Sequence, residues 1–209
     1  MPALRSLVLL VPLAACGCGG SAPSTPRPPD APFVPAAPQP ASRPLPVGAP
    51  FPALEAEGWI NGEPPAFGAP GTKLVVVDLW SQWCPFCARS APGLNDLYAK
   101  FAPRGVAFVG LSNMPKDSAG AFVRAHALKW PNGYGARSEH LAQLGVRSGM
   151  PGPQLYELAP TLYLVSPAGR VVWFDDRGRF THQDPTAWAR KVEAAVERAL
   201  ADPEPKGAP

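Results

Sequence analysis

One run of the sequence, from Lys73 to Trp80, limits the architectures open to this chain more than any other feature. It reads KLVVVDLW, so apolar and mostly β-branched residues continue without polar alternation until Asp78. A strand with one solvated face alternates between apolar and polar residues, whereas a strand buried on both faces does not. We therefore predict a central strand that is covered on both sides.

A helix and a second buried strand are predicted directly after this run. Pro85 suits the first position of a helix, where its missing N–H costs nothing. Apolar residues then recur at helical spacing, at Leu94, Leu97, Tyr98 and Phe101. Val106 to Leu111 reads as the next buried strand, and a strand–helix–strand order implies parallel pairing.

Weaker signals predict further elements, one before the apolar run and two after the second buried strand. The Asn-Gly pair within Gly58 to Glu63 indicates a hairpin. Asp117 or Ser118 is a candidate cap for a further helix, and a short helix is predicted from Ser138 to Leu144, before Gly145.

The last third of the domain predicts an antiparallel hairpin and a closing helix. Thr161 to Val165 and Val171 to Phe174 are predicted strands joined by a turn. Asp184 and Pro185 are typical of the N-cap and first position of a helix. The fold class is therefore α/β, with a central mixed sheet flanked by helices.

The first fifteen residues are typical of an export signal. Arg5 provides a positive start, Leu7 to Leu13 an apolar stretch, and two alanines the small residues before a cleavage site. Leu13-Ala14-Ala15-Cys16 also resembles a bacterial lipobox, which implies that Cys16 carries lipid and becomes the new N-terminus. An ordinary signal peptide that happens to contain Cys16 and Cys18 is the alternative.

A proline-rich stretch separates this signal from the domain. Eleven of the twenty-eight residues from Pro23 to Pro50 are proline, which predicts an extended spacer rather than a core. We assign residues 16–47 to the lipidated cysteine and this linker, 48–202 to the folded domain, and 203–209 to a loose tail.

Cys84 and Cys87 form a CxxC pair between the predicted strand and helix. A zinc site needs four ligands, and His126, His140 and His182 show no paired ligand spacing, which is more typical of surface or capping residues. A purely structural disulfide in so small a ring removes little entropy from the unfolded chain. At a helix N-terminus, however, the dipole and the backbone N–H groups favour a thiolate. The pair is therefore predicted to be a redox centre.

The segment Val77-Asp78-Leu79-Trp80-Ser81-Gln82-Trp83-Cys84-Pro85-Phe86-Cys87 resembles the active-site segment of thioredoxins. The longer stretch from Gly48 to Leu200 resembles the exported, membrane-tethered TlpA-like thiol–disulfide oxidoreductases. Ala159-Pro160-Thr161 before a strand resembles the cis-proline loop of that family. The resemblance implies a thioredoxin-like fold and a dithiol/disulfide couple that needs no cofactor or metal.

Residue roles follow from this resemblance. Cys84 would be the nucleophile that forms the mixed disulfide, and Cys87 would resolve it. Asp78 would be a buried carboxyl that exchanges a proton with Cys87; a solvent-facing Asp78 is the alternative. Pro160 would be the cis-proline facing the pair. The partner surface would comprise Trp83, Pro85, Phe86 and Ala159.

The sequence departs from the family in two places near the cysteines. Cytochrome-maturation members carry a glutamate three residues after the second cysteine, where this chain has Ser90. The Pro85-Phe86 dipeptide resembles that of glutaredoxins and of oxidising periplasmic enzymes, and Arg89 adds positive charge nearby. The direction of electron flow therefore stays open, between a reductase and an oxidase or isomerase.

Two other classes are less consistent with the sequence. A thiol peroxidase would need the pattern Pro-x-x-x-Thr-x-x-Cys, which is absent. A copper metallochaperone on the same scaffold would have a wider cysteine spacing and a distant histidine ligand.

The leading interpretation is a membrane-tethered thiol–disulfide oxidoreductase that reduces disulfides of exported proteins, and the expected partners follow from it. They are exported protein disulfides or thiols, apocytochromes among them, a membrane electron donor of the thiol–disulfide type, and the membrane itself through a lipid anchor. The net charge of +3 is not concentrated in a basic block, so nucleic acid is not expected. We expect a monomer in the bacterial cell envelope, with its domain on the periplasmic or extracytoplasmic face.

Overall fold

The structure, a computed structural model, describes residues 43–146, 161–176 and 184–202. Its strands are Gly58–Ile60 (β1), Leu74–Leu79 (β2), Val106–Leu111 (β3), Asn132–Tyr134 (β4), Thr161–Val165 (β5) and Val171–Asp176 (β6). Its α-helices are Pro85–Phe101 (α1), Lys116–Ala125 (α2), Ser138–Gln143 (α3) and Pro185–Ala201 (α4). No helix within these ranges is long and apolar enough to cross a membrane.

The apolar run of the sequence forms β2, in the middle of the sheet. The described strands are ordered β1-β4-β3-β2-β5-β6. β2 pairs in parallel with β3, through the α1 crossover, and antiparallel with β5. β5 and β6 form the predicted hairpin, closed by a hydrogen bond from the Ser166 N–H to the Arg170 carbonyl (2.8 Å). The mixed α/β sheet predicted from the sequence is therefore confirmed.

Both faces of β2 are buried, as the absence of polar alternation predicted. Leu74 and Val76 belong to the core cluster that includes α1, α2 and α4. Val75 and Val77 belong to the cluster on the other face, which includes α3. Full burial of one valine or leucine side chain contributes about 1.5–3 kcal/mol. This strand is consequently a rigid base for the segment that follows it.

The hairpin predicted around Asn61 and Gly62 is wrong. β1 pairs antiparallel with β4, far along the chain. Asn61 and Gly62 have φ values of 64° and 94°, so they turn the chain out of the sheet instead of into a neighbouring strand. The Asn61 amide donates to the Leu128 carbonyl (2.7 Å), which fixes this turn against the loop before β4.

The N-cap predicted for α4 is confirmed, whereas the N-cap of α2 differs from the predicted one. Asp184 caps α4, since its carboxylate accepts the Thr186 N–H at 3.0 Å. For α2 the N-cap is Pro115, so Asp117 lies inside the first turn of the helix. There its negative charge still faces the positive end of the helix dipole.

Residues before Gly48, the predicted start of the domain, already pack against the core. Leu45, which we assigned to the linker, packs against the core cluster around β5, and its N–H donates to the Tyr163 hydroxyl (3.0 Å). The Gly48 N–H donates to the Val171 carbonyl (2.7 Å). The last part of the proline-rich stretch thus runs along β6.

Helix α4 packs against α1 and is linked to the C-terminal end of α1 by ion pairs. Arg104, just beyond α1, and Lys100 form ion pairs with Glu197 of α4. The Arg104 guanidinium, followed by the Lys100 ammonium, lowers the pKa of Glu197 to about 2. These charges are exposed, so the apolar contact between the two helices is the larger contribution.

Candidate redox site

The two cysteines occupy the first turn of α1. Cys84 is the N-cap of the helix, with extended backbone angles of φ −89° and ψ 104°. Its Sγ accepts the backbone N–H of Cys87 at 3.1 Å. A thiolate at this position receives a backbone hydrogen bond and lies at the positive end of the helix dipole. The local geometry therefore favours the nucleophilic form of Cys84.

The two sulfurs differ in access to solvent. Cys84 is partly exposed, whereas Cys87 is 5% exposed and belongs to the core cluster beneath α1. A bulky partner can reach Cys84 directly. Cys87, which is shielded from solvent, can react with the Cys84 sulfur once that sulfur carries a partner.

A tight turn after β2 presents Cys84 at the end of the sheet. Trp80 continues the sheet by donating its N–H to the Leu111 carbonyl (3.1 Å). The buried Ser81 then closes the turn: its Oγ accepts the Trp83 N–H (3.3 Å), and its carbonyl accepts the Cys84 N–H (3.1 Å). Sequence reasoning missed Ser81, although a serine directly after a strand is a known signal for such turns.

Asp78 is buried in the sheet on the face that carries α1. It is 5% exposed and shares the side of β2 on which Val76 contacts the α1 cluster. Its backbone neighbours in the sheet are Gly110 and Leu162. This burial argues against a solvent-facing Asp78 and places its carboxyl on the same side of the sheet as Cys87.

The residues of the expected partner surface are divided between solvent and core. The Trp83 side chain is 50% exposed beside Cys84, and Pro85 is also exposed. Phe86 is 6% exposed, and its ring meets that of Trp188 edge to face, with 5.7 Å between centroids. Phe86 therefore points into the core, because the helical phase of α1 turns its ring away from the surface.

Ala159 and Pro160 lie outside the described residues, as do Cys16 and the stretch from Arg147 to Glu157. β5 begins directly after Pro160, and its Leu162 pairs with Asp78.

Ser90, at which the sequence departs from the pattern of the resembled cytochrome-maturation proteins, is fully buried. Its hydroxyl donates to the Cys87 carbonyl at 3.2 Å, one turn back in α1. The group at this position close to Cys87 is therefore neutral and hydrogen-bonded.

The described histidines differ in their burial and in their position in the fold. His126 ends α2 as its C-cap. His140 was expected at the surface or at a cap, which is wrong: it is 3% exposed within α3, and its Nε2 accepts the Glu55 N–H (3.1 Å). The need to satisfy that backbone donor explains the burial. His182 is outside the described residues, among which no three His, Cys, Asp or Glu side chains converge as a metal site would require.

Comparison with solved structures identifies the class of fold. Peroxidoxin BcpB from Mycobacterium tuberculosis is similar with a TM-score of 0.59 and 22% identity, over 73% of this chain and 96% of that one. A putative thiol:disulfide interchange protein DsbE from Chlorobium tepidum is similar with a TM-score of 0.55 and 20% identity, over 75% of this chain and 99% of that one. The fold is thioredoxin-like, as predicted.

Sequence comparison then identifies the family. Residues 47–174 match the AhpC/TSA family, and the chain belongs to it. The thiol-disulfide oxidoreductase ResA of Bacillus thuringiensis (strain Al Hakam) is 31% identical over 101 residues, which are 48% of this chain and 53% of ResA. The chain therefore spans about half the length of this curated relative.

The difference in exposure predicts selective alkylation. In the reduced chain carrying Cys16→Ser and Cys18→Ser, we expect iodoacetamide to modify Cys84 more than about tenfold faster than Cys87, because only Cys84 combines access with a helix N-terminus. Peptide mass spectrometry over a time course measures both rates. In denaturant the two rates should converge, and equal rates in the native state would contradict the assignment.

Proposed function

We propose that this chain is a thiol–disulfide oxidoreductase that reduces disulfides of exported proteins. The observation that carries the proposal is the Cys84 Sγ at the N-cap of α1, 3.1 Å from the Cys87 N–H, with Cys87 buried behind it. The name of the relative ResA and the family of the chain are consistent with this chemistry.

The reaction proceeds in two exchanges. The Cys84 thiolate attacks one sulfur of the substrate disulfide, forming a mixed disulfide and expelling the other substrate sulfur as a thiolate. Cys87 then loses its proton and attacks the Cys84 sulfur, which releases the second substrate thiolate. The substrate gains two electrons, the chain ends with a Cys84–Cys87 disulfide, and a membrane donor of the thiol–disulfide type reduces it again.

Trp83 and Pro85 are the groups that a docking partner meets first. Both are exposed beside Cys84, and the indole of Trp83 provides a large apolar contact next to the reacting sulfur. On the basis of the sequence resemblance we assign Ala159 to the same surface and Pro160 to the cis-proline that faces the cysteine pair. Apocytochromes are among the substrates proposed, although Ser90 differs from the residue typical of proteins that act on them.

The reduction potential of the Cys84–Cys87 couple tests both the chemistry and its direction. We use the chain with Cys16→Ser and Cys18→Ser, equilibrated with glutathione or dithiothreitol buffers. A reductase is expected to show a value near that of thioredoxin, about −270 mV. A value of about −120 to −180 mV would indicate an oxidase or isomerase instead. The Cys84→Ser variant is the control, and no reversible couple at all would refute the enzymatic proposal.

Asp78 is proposed to accept the proton that Cys87 loses in the second exchange. Its burial on the α1 face of β2 supports this role, since a carboxyl shielded from water can exchange a proton with a buried thiol.

Asp78→Asn is therefore expected to slow resolution by Cys87 about 100-fold near neutral pH, the scale of one acid–base group. Formation of the mixed disulfide by Cys84 should change little. Rapid-mixing measurements with a glutathione disulfide substrate separate the two steps. Asp96→Asn, which changes an exposed carboxyl on α1, is the matched control. Equal effects of Asp78→Asn on both steps would argue against a specific proton role.

We further propose that residues 1–15 are removed and that lipidated Cys16 tethers the domain through the proline-rich linker, outside the cytoplasm. The match of Leu13-Ala14-Ala15-Cys16 to a lipobox supports this proposal.

Labelled fatty acid tests the tether in bacteria that express the full chain. We expect the label on the unmodified chain and on Cys18→Ser, and its complete loss in Cys16→Ser, because only the lipobox cysteine receives lipid. Recovery of the chain in the membrane fraction should follow the same pattern. An unlabelled parent chain would favour the ordinary signal peptide.

A further inference from the structure

Trp188 in α4 is held in place from the sheet. Its side chain is 2% exposed, and its indole Nε1–H donates to a carboxylate oxygen of Asp175 on β6 at 2.7 Å. The other oxygen of Asp175 accepts the Lys191 ammonium at 2.6 Å. A hydrogen bond to an ion-paired carboxylate is charge-assisted and fixes the orientation of the donor.

The ring held in this way contacts the residue between the two cysteines. Phe86 meets Trp188 edge to face, with planes 89° apart and centroids 5.7 Å apart. Such aromatic pairs stabilise the fold by more than the burial of their apolar area, and this interaction energy depends on the relative orientation of the rings. Since Phe86 belongs to the first turn of α1, the position of its ring is coupled to the positions of Cys84 and Cys87.

Asp175 lies in the same row of the sheet as Asp78. Asp78 of β2 pairs with Leu162 of β5, and Leu162 pairs with Asp175 of β6. Opposed residues of adjacent strands point to the same face. The row ends beneath α4, where Asp175 binds Trp188, so one line of contacts runs from the sheet through α4 to the first turn of α1.

We propose that Trp188 is a positioning residue for the redox pair. Oriented by Asp175, it holds Phe86 and thereby fixes the distance that the Cys87 sulfur must cover to reach Cys84. The proposal deepens the proposed function and rests on it. Closing the disulfide requires the two sulfurs to approach in a defined geometry, and a small displacement of one reacting group has a large effect on such equilibria.

The measured reaction is the exchange with glutathione. The reduced chain and one glutathione disulfide give the Cys84–Cys87 disulfide and two glutathione thiols. Two sulfurs of the chain are oxidised, two of glutathione are reduced, and both protons pass to the glutathione thiolates. At fixed pH the equilibrium constant reflects both the stability of the reduced pair and the ease with which Cys87 closes on Cys84, so it responds to the placement of Cys87.

Trp188→Phe tests the proposal in the chain with Cys16→Ser and Cys18→Ser. We expect the equilibrium constant to fall about three- to tenfold, because the ring loses its hydrogen bond and Phe86 loses its fixed neighbour. Trp130→Phe is the matched control: Trp130 is 1% exposed in the same core cluster, and its ring contacts those of Tyr98 and Phe108. It should lower stability while leaving the constant unchanged.

A double-mutant cycle shows whether the effect passes through Phe86. In the Phe86→Leu background, Trp188→Phe should no longer change the constant. Should Trp188→Phe fail to fold, Asp175→Asn replaces it in the same cycle, since it preserves volume and removes the charge that orients the indole; a fall in the constant is expected again.

The outcomes separate this inference from the proposed function. A parent chain without a reversible couple would refute both. A reversible parent couple whose constant is unchanged in Trp188→Phe, or in Asp175→Asn where that variant is used, would overturn the positioning role alone. A fall of the same size in the Phe86→Leu background would show that Trp188 does not act through Phe86, which also overturns it.

Discussion

The structure depends on the burial of one strand on both of its faces. Because β2 has apolar neighbours above and below, it has to lie in the middle of the sheet, and the chain can leave it only at the end of the strand. The turn at Ser81 and the start of α1 are built at that end. A reactive cysteine placed there has a rigid base behind it and solvent in front of it.

The same arrangement gives two chemically identical side chains different surroundings. Cys84 precedes the helix and keeps part of its surface in water, whereas Cys87 lies one turn later and points toward the core. The helix N-terminus favours negative charge at the first sulfur only. Asp78, in the sheet beneath, provides a polar group on the buried side. The proposed order of reaction, Cys84 before Cys87, thus rests on the phase of one helix relative to one sheet.

Local signals in the sequence predicted most of the fold and the central part of the site. The strands β2, β3, β5 and β6 and the start of α4 are marked by apolar runs or caps, so neighbouring residues are sufficient to identify them. β4 has three residues and pairs with the distant β1, so no local pattern marks it. Likewise, the contact of Trp188 with Asp175 joins different elements, and the inward direction of Phe86 depends on how α1 packs.

The attachment of the segment from Leu45 to Gly48 to the sheet has a mechanical consequence. Leu45 and Gly48 are hydrogen-bonded to Tyr163 and Val171, and Leu45 packs on the sheet face opposite α1. A pulling force on this segment would be borne by those bonds and by the strands β5 and β6. Helix α1 is not among the elements that bear this force. Tension on the segment therefore need not deform the turn that carries the cysteines.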